Sequence, residues 1–327
     1  MISIEPVRGL PEVRPGDDLV ALIAQATRLR DGDVVVVSQK VVSKAEGALV
    51  QPSPGEDRVA ARARLARGLA TRVVADSERA LIVRTAAGLV CASAGIDASN
   101  VPDGALSLLP DDADRSAREL RRGLQARSGA QVAVIVADTF GRAWRTGQTD
   151  VAIGVAGLPP LRDERGGTDA LGQPLTATVV ALADEVAGAA DLARRKADGV
   201  PVVLLRGLDW EVDEQAGAGA LVRPVEQDLF PRGRGMLADA LAGRAPLGDL
   251  PGPAPAGAWL RAAAAARGTG GTGVVVDVHG GELLLSGDAL AVGAAAGAAV
   301  AALGDLGYTA SWEPRSPATA RVRSDGR

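Results

Sequence analysis

The sequence predicts an α+β protein of about two domains, and three observations predict it. The chain has 327 residues, about two domains at roughly 150 residues each. Segments of strand and helix character alternate through its first third. Residues 245–257, APLGDLPGPAPAG, hold four prolines and three glycines and read as a linker, leaving a C-terminal remainder of about 70 residues.

The elements follow in order. ISIEPV near the start is a short strand. PGDD supplies a turn and a helix cap, after which Leu19, Val20, Leu22, Ile23 and Ala26 form a helical stripe. DVVVVSQKVVSKAEGALV, residues 33–50, is a strand-rich run carrying two lysines. Residues 55–73, rich in Ala and Arg, read as helix. ALIVRTAAGLVCASAGI reads as two strands around Ala86-Ala87-Gly88. Residues 111–128 form a clearer helix. Asp111 is placed to cap it, Ala113, Ala117, Leu120 and Leu124 share a face, and Gly129 is placed to end it. QVAVIVAD is a continuous apolar run, as in a buried strand. A long helix is expected over about 176–196, ending before Asp198-Gly199, and then a buried strand in VPVVLLRG.

Beyond the linker the sequence predicts a small α+β appendage over 258–313. Its elements are a helix from Ala258 to Arg267, a glycine turn, a hairpin VVVDV-HGG-ELLLS, an Ala-rich helix from Asp288 to Leu303 and a strand near Tyr308 to Trp312. Residues 314–327, which end in RSPATARVRSDGR, read as a disordered tail.

Composition excludes several functions. Hydrophobic residues make up 47% and charged ones 23%, a soluble globular balance. A net charge of −4 gives no basic footprint for nucleic acid. No strongly apolar stretch reaches the ~20 residues of a membrane span. MISIEPVRGLPEV has no basic region followed by an apolar run, so no signal peptide is expected and a cytoplasmic location is. Cys91 is the single cysteine and His279 the single histidine, which removes disulfides and multi-Cys or multi-His metal sites. Chemistry therefore rests on carboxylates, hydroxyls, backbone and cations. Only three lysines stand against 33 arginines, and Lys40 and Lys44 lie four apart in SQKVVSKAEG. That clustering points to a need for an ammonium there.

Three constellations carry chemistry. Asp97 closes LVCASAGID and Asp138 closes QVAVIVAD; an aspartate at a strand end suits Mg2+ near nucleotide phosphates, and equally suits capping the next turn. Thr139 adds a hydroxyl beside Asp138, and Asn100 an amide near Asp97. Arg142 and Arg145, within Phe140-Gly141-Arg142-Ala143-Trp144-Arg145-Thr146-Gly147-Gln148, suit an anionic substrate, or are surface charges of a turn. Gly9-Leu10-Pro11-Glu12 with Gln39 and Lys44 is a weaker candidate phosphate cradle, or a plain turn and a surface lysine. There is no Gly-Lys dipeptide and so no Walker A loop. Gly268-Thr-Gly270-Gly-Thr-Gly273 matches G-x-G-x-x-G but follows a helix and precedes a strand, the reverse of the dinucleotide-binding context.

GLPE, VVVSQKVVSKAEG, AGIDASNV, ADTFGRAWRTGQTDVAIGVAGL, DALGQPL and VPVVLLRGL occur in that order, and together they resemble the coenzyme F-420-0:L-glutamate (gamma-glutamyl) ligase family over residues 1–243. The resemblance implies a domain over 1–244 with a mixed-sheet α+β fold, without Walker A and intertwined as a homodimer. It implies a GTP-dependent, metal-dependent amide ligase that adds L-glutamate to F-420-0 through an acyl phosphate. Carried over, Asp97, Asp138 and Thr139 are metal ligands for Mg2+ or Mn2+, with K+ a further candidate cation. Gly9, Leu10, Pro11, Glu12, Gln39, Lys44 and Asn100 contact GTP. Arg142 and Arg145, our own addition, are candidates for the substrate phosphodiester or the glutamate carboxylates.

The sequence departs from the family in two places. Relatives often carry a Glu or Gln that reaches the metal site where this chain has Arg194-Arg195-Lys196-Ala197-Asp198-Gly199. Actinobacterial relatives often continue into a flavin-binding nitroreductase-like domain. Here GDALAVGAAAGAAVAALGDLGYTASWEP resembles only its closing helix and strand, so the appendage reads as a remnant and no flavin is expected. Two rival functions remain. A bifunctional ligase and flavin-dependent reductase needs the missing flavin-binding part. A non-catalytic nucleotide-binding subunit does not explain the intact Asp97, Asn100, Asp138 and Thr139 set.

Overall fold

The structure, a computed structural model, describes residues 1–77, 80–101, 104–194, 199–224, 227–229, 266, 274–279, 282–287, 289–305, 309–316 and 319–326. The chain divides into two compact units, Met1–Val73 with Ser77–Arg223, and Val74–Asp76 with Pro224–Arg327. Up to residue 223 the elements are β1 (Ser3–Val7), α1 (Leu19–Ala26), β2 (Val34–Ser38), α2 (Gln39–Ala45), β3 (Leu49–Val50), α3 (Arg58–Leu69), β4 (Ala70–Asp76), β5 (Leu81–Thr85), β6 (Val90–Ala92), β7 (Leu106–Ser107), α4 (Ala113–Ser128), β8 (Ala133–Arg142), β9 (Arg145–Ala156), β10 (Arg162–Asp163), β11 (Val179–Val180), α5 (Leu182–Asp191) and β12 (Val202–Arg206).

The central sheet is mixed, in the order β1-β12-β2-β8-β9. β2 and β8 run parallel, and the other neighbours antiparallel. Side chains alternate faces along a strand, so a strand covered on both faces is apolar throughout. The run Val34–Val37 is buried at every residue. Val35 and Val37 pack with Ile23 of α1 and with Leu120 and Leu124 of α4. Val34 and Val36 pack with Leu182 and Val186 of α5 on the other face. Truncating a fully buried side chain such as Leu124 to Ala costs about 2–5 kcal/mol. A smaller cluster of Ala61, Ala66, Leu81, Val83, Ile96 and Leu106 joins α3 to the three-stranded sheet β4-β5-β6.

Several expectations need correction. The run 33–50 is strand only at Val34–Ser38 and Leu49–Val50: from the N-cap Ser38, Gln39–Ala45 coil into α2, because Gln39, Val42 and Ser43 fall on one buried helical face. Asp112, not Asp111, caps α4, its Oδ1 accepting from Arg115 N at 2.8 Å. Such a cap stabilises by about 0.5–2 kcal/mol. Gly129 ends α4 with φ 74°, the left-handed conformation glycine adopts without strain. The helix expected over 176–196 is α5 alone. Val179–Val180 form β11 first, and Asp184 and Glu185 in the first turn of α5 complement its dipole. β8 does not end at Asp138 but runs on to Arg142, turning into β9. At Gly154 of β9 an added Cβ would fall 2.2 Å from the Ala113 carbonyl oxygen, so only glycine lets the start of α4 approach.

In the second unit β13 (Val274–His279), β14 (Glu282–Gly287), α6 (Ala289–Gly304), β15 (Thr309–Ser316) and β16 (Thr319–Gly326) follow. The sheet is antiparallel, in the order β13-β14-β16-β15. Leu283, Leu285, Ala295, Ala299, Leu303, Ala320 and Val322 form its core. The segment 314–327, expected as a disordered tail, instead holds the end of β15 and all of β16. Ala320 and Val322 bury at alternate positions, and that period of two was hidden by the arginines between. The linker 245–257, the helix over 258–267 apart from Ala266, and Gly268–Gly273 lie outside the described residues. Among the described residues no helix is long and apolar enough to cross a membrane.

Candidate active site

β2 and β8 are parallel, and β2 ends beside the middle of β8, which opens an edge of the sheet there. Ser38 pairs with Ala137, so Gln39-Lys40 and Asp138-Thr139 leave their positions side by side. Such an edge is where open α/β sheets bind ligands. Asp97 arrives from a different element: it follows the short 3-10 turn Ser93–Gly95 and bridges to Ser107. Its loop is held from α3, where Arg58 Nη2 donates to the carbonyls of Ala98 (2.6 Å) and Ala105 (2.9 Å). Asn100, exposed on this loop, has φ 53°.

Three carboxylates and two cations meet here. Lys40 Nζ lies 2.6 Å from Asp97 Oδ2 and donates to the carbonyl and hydroxyl oxygens of Ser99, both at 3.0 Å. Ser99 donates its N–H (2.8 Å) and hydroxyl (2.9 Å) to Asp97 Oδ1. Burial pushes the Asp97 carboxyl up, but the bonds from Lys40 and Ser99 and the Lys40 charge outweigh it and hold it below its ordinary value. Asp150, 3% exposed, accepts the Thr139 hydroxyl at 2.7 Å. Its other oxygen lies 3.1 Å from Arg194 Nη2. Arg194 is only 10% exposed, and its Nε and Nη2 have no hydrogen-bond partner among the described residues, so that contact is an ion pair without hydrogen-bond alignment. Asp138 has no such cation to itself. Burial first, and then the Asp150 and Asp97 charges, push its carboxyl up to about 7, against the Thr139 N–H and the more distant Lys40 charge. Cys91 also feels this field: burial and the Asp138 charge push its thiol up to about 12, which keeps it protonated and inert.

The donor set fits a hard divalent cation. It offers oxygen ligands only, and the carboxyl with a raised pKa is one that a nearby positive charge would restore to its ionised form. Among the described residues no three His, Cys, Asp or Glu side chains close into a metal cage. Mg2+ characteristically takes one or two carboxylates and completes its shell from water and substrate phosphates.

The other candidates divide. Gly9, Leu10, Pro11 and Glu12 lie in the loop after β1, Gln39 opens α2 and Lys44 lies in its last turn. The structure joins two of them: Lys44, buried, gives Nζ to Glu12 Oε1 at 2.5 Å, while the buried Gln39 accepts from Ser43 Oγ at 3.4 Å within α2 itself. Lys44 is thus not the surface residue one reading allowed. Arg142 and Arg145 pair across the exposed tip of the β8–β9 ribbon, and Arg142 Nη2 donates to the Thr146 carbonyl at 2.9 Å. Arg142 is four residues past Asp138 on one strand, about 13 Å at 3.3 Å per residue. The structure does not bring these arginines to the carboxylates. Sequence reasoning passed over Asp150, Arg58 and Ser99, gave Lys40 no partner, and named Arg194 only within the segment that departs from relatives near the metal site. The clustering of Lys40 with Lys44 was one usable signal. Asp150, one polar residue heading the apolar run DVAIGVA, was a second.

The family model described as F420-0:Gamma-glutamyl ligase matches residues 9–207. The chain is 43% identical over 245 residues to the coenzyme F420:L-glutamate ligase of Methanopyrus kandleri, covering 70% of this chain and 97% of that one. It is 42% identical over 248 residues to that of Methanothermobacter thermautotrophicus, with 70% and 98% covered. To that of Halorubrum lacusprofundi it is 44% identical over 241 residues, with 68% and 93% covered.

Proposed function

As this chain belongs to the F420-0:gamma-glutamyl ligase family, and so is a ligase of coenzyme F420 biosynthesis, we propose that it joins L-glutamate in γ linkage to F-420-0 at the expense of GTP, with a divalent metal held by Asp97, Asp138 and Thr139. The observation that carries the reading is the convergence of Asp97, Asp138 and the Thr139–Asp150 pair at the edge where β2 ends beside β8. The reading extends to an intertwined homodimer in the cytoplasm, and to a C-terminal unit that holds no flavin.

A carboxylate is a poor electrophile. In this mechanism a carboxylate oxygen attacks the γ-phosphorus of GTP and the bond to GDP breaks, leaving an acyl phosphate. The amine of the incoming glutamate then attacks the acyl carbon, phosphate leaves, and the nitrogen sheds a proton to give the amide. Bound Mg2+ or Mn2+ supplies charge neutralisation on the transferring phosphoryl group. Asp97 and Asp138 anchor that charge, and Lys40 keeps Asp97 ionised and in place. Lys44, steadied by Glu12, offers a fixed ammonium for nucleotide phosphates beside Gln39, with Gly9–Pro11 and Asn100 framing the same nucleotide. Arg142 and Arg145 are proposed for the anionic groups of the substrates, met at the exposed ribbon tip.

The test is purified protein with F-420-0, L-glutamate and Mn2+, with and without GTP, followed by chromatography and phosphate assay. One GDP and one phosphate should appear per amide bond. Amide formation without a nucleotide would overturn the GTP dependence and the acyl phosphate with it.

A further inference from the structure

Asp150 stands directly across the β8–β9 ladder from Thr139 and is almost fully buried. Its Oδ1 takes the Thr139 hydroxyl proton at 2.7 Å, and its Oδ2 lies beside the buried Arg194. A threonine hydroxyl has one proton and two lone pairs. With the proton committed to Asp150, Thr139 Oγ1 has only lone pairs left to offer. It can meet a cation or an N–H, and it cannot donate to a phosphate oxygen. Arg194 places its guanidinium 3.1 Å from the other Asp150 oxygen and so fixes that carboxylate from its far side.

We infer that Asp150 is a positioning residue: it fixes the Thr139 hydroxyl as an electron-pair donor toward the metal, and Arg194 holds Asp150 in that role. This rests on the metal reading above. It goes beyond it by separating the orientation of a ligand from the ligand itself, the work that partners of metal ligands do elsewhere.

The experiment reads Mn2+ held by the full-length protein through water-proton relaxation enhancement, with GTP present and F-420-0 absent, so that nothing turns over. Asp150→Glu keeps both charges and displaces the carboxylate by one methylene. The pair Asp150→Ala with Arg194→Gln keeps the net charge and removes the acceptor. Each should weaken Mn2+ binding about tenfold, with circular dichroism unchanged. Thr139→Ser should hold Mn2+ as the wild type does, and Thr139→Val should lose about as much as the Asp150 variants. In the Thr139→Val background the Asp150 changes should add no further loss. Undiminished Mn2+ affinity in Asp150→Glu overturns the inference, and so does a second full loss in the Thr139→Val background, which would make Asp150 a direct ligand. A wild-type protein that shows no relaxation enhancement removes the metal reading together with this one.

Discussion

Thr139 and Arg142 are three residues apart on the same strand, yet they belong to different environments. The inner stretch of the β8–β9 ribbon carries Asp138, Thr139 and Asp150 among buried neighbours, where charges are felt strongly; Thr139 is bonded to Asp150, and Asp138 lies among like charges. The outer stretch, from Arg142 through Gln148, is exposed along its length, and its one side-chain bond given above runs from Arg142 to a carbonyl within the same turn. A motif that reads as one block in the sequence is therefore two devices. The inner one is buried and, in the function proposed above, holds a cation in a fixed place; the outer one presents arginines to whatever approaches from solvent. Desolvation makes the difference: the same charge is worth far more inside than at a ribbon tip.

The contrast is broken most readily at its inner end. Asp97→Asn should lower turnover about a hundredfold or more, since even an indirect partner of a metal ligand is worth 10–100-fold. Combined with Asp138→Asn it should be little worse than either single change, because ligands act as a unit. Steady-state rates at saturating Mn2+ check this, and multiplicative losses would separate the two carboxylates.

Lys44→Ala comes next. A charge-assisted bond of about 1.5–3 kcal/mol corresponds to about tenfold or more, expected in the GTP Michaelis constant and not in that of glutamate. An unchanged constant would reduce the Lys44–Glu12 pair to a structural tie. At the outer end, Arg142→Ala with Arg145→Ala should raise a substrate Michaelis constant by less than about tenfold, with turnover kept. A collapse of turnover comparable to that of Asp97→Asn would show that the tip reaches the reacting groups, and the contrast would fail.

Truncation after Gly248 should leave ligation unchanged and the protein colourless, as measured by product formation and visible absorbance. The smallest effect concerns a purely structural ion pair. Arg121 Nη1 and Nη2 grip Glu214 at 2.6 and 2.8 Å, and those bonds hold the exposed Glu214 carboxyl below its ordinary value of 4.5. A depressed carboxylate stabilises at neutral pH, and that stabilisation is lost as pH falls through its folded-state value. Glu214→Gln should therefore cost under about 1 kcal/mol at pH 7. The gap in melting temperature from wild type should close in acid.

How much of this was legible depended on whether the deciding contact was local. Val34–Val37 and QVAVIVAD announced buried strands because a run of branched apolar residues has few other uses. The Asp97 and Asp138 pair was legible as chemistry because polar residues interrupted apolar runs. Asp150 was passed over, and Arg194 was read only as a departure from relatives, because their meaning lies in a contact between residues 44 apart, which no spacing rule reports. α2 was misread because Val41 and Val42 extend a valine run, and the helix face that buries Gln39 and Ser43 is set by tertiary packing. β16 was missed for the opposite reason: arginines masked a two-residue alternation that buries only Ala320 and Val322.

The most direct test of the account compares wild type and Asp138→Asn side by side, each given F-420-0, L-glutamate, GTP and Mn2+, with products weighed by mass spectrometry over time. The account predicts wild-type product heavier than F-420-0 by one or more glutamyl residues, and almost none from a folded Asp138→Asn. Glutamylated product at the wild-type rate from Asp138→Asn would contradict it.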